Sequence, residues 1–470
     1  MFDSTMTAGG LPLPGSGAYD VVNPATGLVV ARAPACGPAE LDAAMAAAQA
    51  AFPAWSADEK ARRAALHETA DAIVAAVDRL APLLTAEQGK PGYEARGEIA
   101  GACAWLRYYA DLDLPAETLL QDDENGRIAV MRRPFGVVAA IAPWNFPVAL
   151  ALWKVAPALR AGNTVVLKPS PYTPLTTLAI GELLREVLPP GVLNVVSGPD
   201  PLGAWITAHR TPRRISFTGS TETGTKVMTA ASADFKRISL ELGGNDPAIV
   251  LDDADPAKIA EALFWGAFRN NGQFCMAVKR VYVPAALHGE LVEALAARAL
   301  ATRVGDGAAE GTELGPVSNR RQYDRVAGLV ADALGRGAVA AAGGAPAGDG
   351  PGLFFPPTIL TGLSDGVPIV DEEQFGPALP VVAYDRLDDA IDRANGTPYG
   401  LTASVWSADT DRAAQVAARV DAGQVWINTH GRGALRPDVP FGGHKSSGIG
   451  LENGRWGLES FSEIQVVGRL

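Results

Sequence analysis

The chain has 470 residues, of which 48% are hydrophobic and 20% charged, with a net charge of −12. That length and composition allow two or three lobes with substantial cores and exclude a disordered chain. The acidic balance argues against nonspecific nucleic-acid binding. Three cysteines (Cys36, Cys103, Cys275), with no CxxC and no Cys/His cluster, argue against a disulfide framework or a zinc site.

Residues 1–18 are Gly/Pro/Ser/Thr-rich and lack the apolar stretch of a secretory leader, so a cytoplasmic protein is expected. Asn23-Pro24-Ala25-Thr26-Gly27 reads as the turn of an early hairpin. Residues 39–54, 58–88 and 93–112 carry helical patterns. No charge occurs between Arg133 and Lys154, a span long enough for a bilayer. Pro134, Pro143, Pro147 and Asn145 interrupt it, which favours two buried strands and a turn into a helix over a membrane helix.

From Val137 strands and helices alternate. Strands are expected at 137–141, 164–168, 192–196 and 214–217, with helices at 176–188, 201–209 and 222–231. Strands at 238–241 and 248–251 lead to a helix at 258–269. A second alternating region has strands at 278–283, 380–384, 403–406 and 425–428, and helices at 288–302, 322–335, 387–395 and 411–420. Such alternation predicts an α/β protein with two largely parallel, doubly wound sheets. Residues 338–352 are Gly/Ala-rich and read as a surface loop. Cys36 and Cys103 read as apolar filler.

Five segments carry chemistry. Cys275 follows the polar, turn-forming Asn270-Asn271-Gly272-Gln273, 34 residues after Glu241 in Leu240-Glu241-Leu242-Gly243-Gly244. A thiolate can attack an aldehyde carbon, and a carboxylate can activate the water that releases the product. Asn145 lies in Pro143-Trp144-Asn145-Phe146-Pro147, where an Asx turn stiffened by two prolines explains it equally well. Phe217-Thr218-Gly219-Ser220-Thr221-Glu222-Thr223-Gly224 joins a strand to a helix whose first N–H groups can hold a pyrophosphate. The fifth segment is Glu372-Glu373-Gln374-Phe375-Gly376-Pro377.

Together, in this order, these motifs resemble the aldehyde dehydrogenase superfamily, and the resemblance runs from about Asn23 to about Val467. It implies a catalytic thiolate at Cys275, an oxyanion hole at Asn145, a hydrolytic base at Glu241 and a proton relay through Lys154. Relatives that pass the acyl group to coenzyme A usually lack this glutamate, so a free acid is the implied product. The implied cofactor is NAD, with NADP plausible, held by Trp144, Lys168, Ser170, Gly219, Ser220, Gly224, Leu242, Glu373 and Phe375. One departure bears on that choice. Pro171 stands where relatives commonly carry a ribose-binding glutamate that repels a 2′-phosphate, and Lys168 is placed to attract one.

Tunnel positions by the same resemblance are Leu150, Trp153, Phe268, Arg269, Phe274, Met276 and Phe441. Trp153, Phe274 and Phe441 would form an aromatic-tolerant channel. Arg269, Arg432 and Arg436 offer a semialdehyde carboxylate a partner, or are solvated loop arginines. The competing class is a catalytically silent structural relative, which intact Cys275, Glu241 and Asn145 oppose. The family layout implies a cofactor-binding domain at 1–115 and 135–243 and a catalytic domain at 244–445. A small β oligomerisation arm at 116–134 and 460–470 would make a homodimer or homotetramer. No metal is called for, and the partner is a small aldehyde, with no nucleic acid or membrane.

Overall fold

The computed structural model describes residues 4–348, 350–431 and 435–469. Its first sheet has eight strands. In spatial order they are Leu11–Leu13, Met6–Ala8, Leu193–Val195, Thr164–Lys168, Val137–Ile141, Arg214–Thr218, Arg237–Glu241 and Gly448–Ile449. The five from Leu193–Val195 to Arg237–Glu241 are parallel. Val137–Ile141, Thr164–Lys168 and Arg214–Thr218 are buried at every position. Val137–Ile141 and the Val165–Leu167 centre of the next strand therefore read as continuous apolar runs rather than alternating ones, whereas Arg214–Thr218 carries Arg, Ser and Thr at buried positions.

Helices Pro147–Ala161 and Leu175–Leu184 carry the chain from Val137–Ile141 through Thr164–Lys168 to Leu193–Val195. The chain then returns to the other side of Val137–Ile141 with Arg214–Thr218. The order thus reverses between these two strands. In open α/β sheets the crevice at the C-terminal ends of strands flanking such a reversal is where ligands bind. Trp144, Asn145, Gly219 and Ser220 follow those ends, and Glu241 closes the next strand.

The second sheet has seven strands, in the order Val339–Ala342, Thr358–Thr361, Ala378–Tyr384, Val278–Pro284, Asp246–Val250, Thr402–Trp406 and Gln424–Ile427. All neighbours are parallel except the first pair. Cys275 precedes Val278–Pro284, and Glu373 and Phe375 precede Ala378–Tyr384, so this sheet contributes the N-terminal ends of its strands to the crevice. A separate three-stranded sheet joins Glu117–Asp123, Gly126–Pro134 and Ser462–Arg469, all antiparallel. Among the described residues no helix is long and apolar enough to cross a membrane.

The early hairpin forms as expected, pairing Gly17–Val22 with Val29–Ala35. Gly27 adopts φ +73° and donates to Asn23 O at 2.8 Å. Cys36 and Cys103 are buried filler, and burial pushes their thiols up to about 12 and about 11.

Several expectations need correction. Residues 338–352 are not all loop, because Val339–Ala342 is an edge strand on Thr358–Thr361. Its three alanines have little β propensity, so pairing rather than sequence makes the strand. The helical pattern over 58–88 is two helices, Glu59–Ala75 and Val77–Gln88, broken at Ala76. Of two buried strands expected between 133 and 154, only Val137–Ile141 forms; the other candidate is the half-exposed end of Gly126–Pro134. The Met6–Ala8 and Leu11–Leu13 hairpin has no strong pattern of its own and gains its order from pairing with Leu193–Val195.

Candidate active site

The helix Pro256–Phe268 starts on an Asp255 cap and ends at Arg269. Asn270, Asn271 and Gly272 then take three consecutive left-handed conformations, φ +49°, +55° and +71°. Asparagine and glycine are the residues that tolerate this. Side chains lock the turn. Asn271 Nδ2 donates to Gly315 O at 2.9 Å, Gln273 Nε2 donates to Asn270 O at 2.9 Å, and Gln273 Oε1 accepts from Ser318 N at 2.7 Å. A side chain on Gly272 would collide with the Gly376 carbonyl. Cys275 emerges from this turn half-buried. Burial pushes its thiol up to about 12; Lys279 opposes this, while Asp246, Glu373 and Glu241 add to it.

Asn145 is brought to the same turn, with its Nδ2 donating to Gln273 O at 3.1 Å. Its own carbonyl accepts from Asn270 Nδ2 at 3.0 Å and from Lys90 Nζ at 2.9 Å. Lys90 pairs with Glu98, both side chains wholly buried, and Glu98 Oε1 accepts from Val148 N and Ala149 N at 2.9 and 3.1 Å. A buried ion pair thus fixes both the helix start and the backbone of Asn145. Nothing in the sequence marks Lys90 or Glu98, since their partners are main-chain atoms about 50 residues on.

Glu241 is buried, and neither carboxylate oxygen has a hydrogen-bond partner among the described residues. Burial raises it well above the usual carboxylate range; Glu452 adds to this and Lys154 opposes it. Lys154 Nζ donates to Glu452 Oε1 at 2.6 Å, with both side chains buried. The same oxygen accepts from Ser216 Oγ at 3.2 Å. Glu452 is held in turn by paired main-chain bonds with Phe441 at 2.8 and 2.7 Å. Glu452 was not legible in the sequence: it lies 298 residues from Lys154 in no recognisable motif.

Thr218, Gly219 and Ser220 lead from the strand into the helix Thr221–Ser232, where Ser220 Oγ accepts from Thr223 N at 3.2 Å. A Cβ on Gly219 would fill space against the Phe217 ring, and one on Gly224 would meet Leu242. Thr218 Oγ1 is buried without a partner among the described residues. Trp144 and Phe375 pack edge to face at 5.3 Å. Glu373 lies across Gly243 and accepts from Gly244 N at 3.0 Å. Ser170 Oγ accepts from Tyr172 N at 3.3 Å. Lys168 is buried, donates to Pro169 O at 3.2 Å, and is pushed down to about 8 by burial against a supporting Asp200. A helix start with small residues ahead of it, an orphaned hydroxyl and a buried lysine fit a dinucleotide.

Of the tunnel candidates, Trp153 stacks on Trp105 at 5.0 Å and meets the Phe441 edge at 5.9 Å, and Phe274 meets Phe146 at 5.1 Å. Leu150 and Met276 are buried in the same cluster. Phe268 is not with them: it packs on Phe264 in the core of the second sheet. Arg436 is exposed and paired with Asp438 at 2.6 Å, and Arg432 lies outside the described residues. Arg269 is half-buried; its backbone N–H donates to Trp265 O, and its guanidinium makes no hydrogen bond, ion pair or ring contact among the described residues.

The family model of the aldehyde dehydrogenase family matches residues 14–467. The chain belongs to that family. The dehydrogenase is 40% identical to the glutarate-semialdehyde dehydrogenase of Pseudomonas putida over 453 residues, 95% of this chain and 93% of that protein. It is also 40% identical to the NADP-dependent succinate-semialdehyde dehydrogenase of Escherichia coli, over 96% of this chain and 94% of that protein. The NAD⁺ complex of an aldehyde dehydrogenase from Bacillus cereus superposes with a TM-score of 0.96 at 35% identity, covering 100% of this chain and 96% of that one. The fold is therefore the α/β, Rossmann-like architecture of this family. The dehydrogenase oxidises an aldehyde to the carboxylic acid with NAD or NADP.

Proposed function

We propose that Cys275 is the nucleophile, Asn145 the oxyanion donor and Glu241 the hydrolytic base. The Cys275 thiolate adds to the aldehyde carbon, and the carbonyl oxygen becomes an alkoxide. Asn145 Nδ2, already on the Cys275 turn, and the Cys275 N–H donate to it; one such donor contributes about 3–4 kcal/mol. When bound, NAD or NADP would supply the hydride acceptor for that carbon. Glu241 then takes a proton from water, whose oxygen attacks the thioester carbon while the C–S bond breaks. The Lys154–Glu452 pair offers Glu241 a route for that proton. One observation carries the reading: a buried Glu241 carboxylate, without a hydrogen-bond partner among the described residues, beside that pair. Trp144, Lys168, Ser170, Gly219, Ser220, Gly224, Leu242, Glu373 and Phe375 would hold the nucleotide. Residues 1–115 with 135–243 act as the cofactor-binding domain, 244–445 as the catalytic domain, and 116–134 with 460–470 as the arm, in a cytoplasmic enzyme.

The substrate we infer is a semialdehyde carrying a distal carboxylate. Two of the relatives named above act on such compounds by name. Arg269 supports the reading, because its half-buried guanidinium has no partner among the described residues and lies directly before the nucleophile turn. The aromatic wall of Trp153, Phe274 and Phe441 suits the intervening carbon chain. An initial-rate screen of carboxylated, aliphatic and aromatic aldehydes tests this. Carboxylated substrates should give the highest kcat/KM. Arg269→Leu should lower it for them by about 10- to 100-fold, the size of a hydrogen bond to a charged group, and leave uncharged aldehydes unchanged. An equal loss for both classes would refute the anchor. Run with both cofactors, the screen should show NADP within about 100-fold of NAD, because Pro171 removes the usual charge barrier.

Assembly into a dimer or tetramer is supported by the strand Ser462–Arg469, which among the described residues is paired on one side only and exposes Ile464, Val466 and Val467. An unpaired apolar edge is normally covered. Light scattering at micromolar concentration should read at least a dimer; a monomer mass refutes it.

A further inference from the structure

Lys279 is the second residue of the strand Val278–Pro284 and is 1% exposed. Among the described residues it has no carboxylate at ion-pair distance. Its Nζ donates instead to two main-chain carbonyls, Phe274 O at 2.5 Å and Ala277 O at 3.4 Å. These lie one residue before and two residues after Cys275. The ammonium also faces the Phe375 ring at 5.6 Å, and the Lys279 carbonyl accepts from Gln374 Nε2 at 2.9 Å. The cation is therefore seated under the nucleophile turn and tied to the loop that carries Glu373 and Phe375.

Burying an ammonium against carbonyls alone is costly. Any uncharged donor could bridge the two carbonyls, so a charge there has value only to a neighbouring anion. The titratable groups that act on Cys275 are Lys279, Asp246, Glu373 and Glu241, and Lys279 is the one cation among them. Asp246 is occupied by Thr402 N at 3.2 Å and by the Thr402 hydroxyl, and Glu373 by Gly244 N. All three carboxylates disfavour a thiolate.

We propose that Lys279 is a positioning residue for the nucleophile: its ammonium supplies the positive charge that opposes burial and the three carboxylates and so favours the Cys275 thiolate, and it pins the turn from Phe274 to Ala277 that presents the sulfur. This rests on the reading of Cys275 as nucleophile.

The test is the pH profile of inactivation by iodoacetamide, on the full-length enzyme saturated with NAD. Lys279→Met and Lys279→Gln should each move the midpoint up by about one pH unit or more. That means about 10-fold slower alkylation below the midpoint, with a plateau at high pH close to wild type. Gln keeps a donor for the carbonyls and loses the charge, so its shift isolates the charge. Lys279→Arg should restore the wild-type midpoint. A role confined to packing would lower the plateau and leave every midpoint in place, and that result overturns the proposal. If Lys279→Met fails to fold, the Gln and Arg variants decide the matter alone. Cys275→Ala separates the two readings: full turnover in that variant removes the nucleophile assignment itself, whereas an unmoved midpoint in the Lys279 variants removes only the role of the lysine.

Discussion

Cys275→Ala should lower aldehyde oxidation by about 10⁴-fold or more, because the hydride can leave only after the sulfur has added to the carbonyl carbon. The fold should survive. Cys275 is half-buried, makes no side-chain hydrogen bond among the described residues, and sits on a turn held by Asn270, Asn271 and Gln273. Cofactor binding should also survive, since the helix start at Ser220 and the Glu373 contact on Gly244 do not involve the sulfur. Two measurements check this: initial rate by reduced-cofactor absorbance, and cofactor affinity by fluorescence. Turnover within 10-fold of wild type would remove Cys275 from the mechanism.

Glu241→Gln is the second large effect, and it should be kinetic in form. Addition and hydride loss do not need the carboxylate, so each active site should still release one reduced cofactor in a burst. Hydrolysis then lacks its base, and steady turnover should fall by about 10²- to 10⁴-fold. A steady rate equal to wild type, with no burst, would exclude Glu241 as the base.

The same residue predicts a pH dependence. Burial raises its carboxyl well above the usual range in the folded chain. The folded state therefore binds more protons than the unfolded state between the ordinary carboxylate value and the raised one. Stability contributed at this site falls as pH rises through that window and then levels off. Activity should rise over the same range, because only the ionised form accepts a proton. Glu241→Gln should lose this decline and be the more stable protein at the alkaline end, as read from urea midpoints across pH. A variant whose midpoints track wild type at every pH would contradict the buried, raised carboxyl.

Much of this enzyme was legible from local pattern. The strands Val137–Ile141 and Thr164–Lys168 and the helix Leu387–Asn395 fall where periodicity put them, because continuous apolar runs and amphipathic spacing are properties of neighbouring residues. The turns that carry Cys275, Asn145 and Ser220 were also marked, since each needs Asn, Gly, Pro or Ser at a fixed position for its backbone or cap. The family resemblance added roles to those residues, and the whole-chain match agrees with it.

Other features needed the tertiary structure, and they share one physical cause. Glu452 reaches Lys154, Lys90 steadies Asn145, and Lys279 underlies Cys275, yet none of the three belongs to a motif the sequence revealed. A buried charge has no local signature: in the sequence it is indistinguishable from a solvated one, and only its burial and distant partners give it a role. Arg269 and Arg436 show the same limit from the other side. As sequence each is open to either role, carboxylate partner or solvated arginine, but folding pairs Arg436 with Asp438 in solvent and leaves Arg269 half-buried with no side-chain partner among the described residues. The sequence by itself determined the alternating α/β fold through short-range pattern, and pointed to the proposed chemistry at Cys275 and Glu241 through residue type and family resemblance. The tertiary structure decided which charges surround that chemistry, because electrostatic environment is set by three-dimensional neighbours and by exclusion of water.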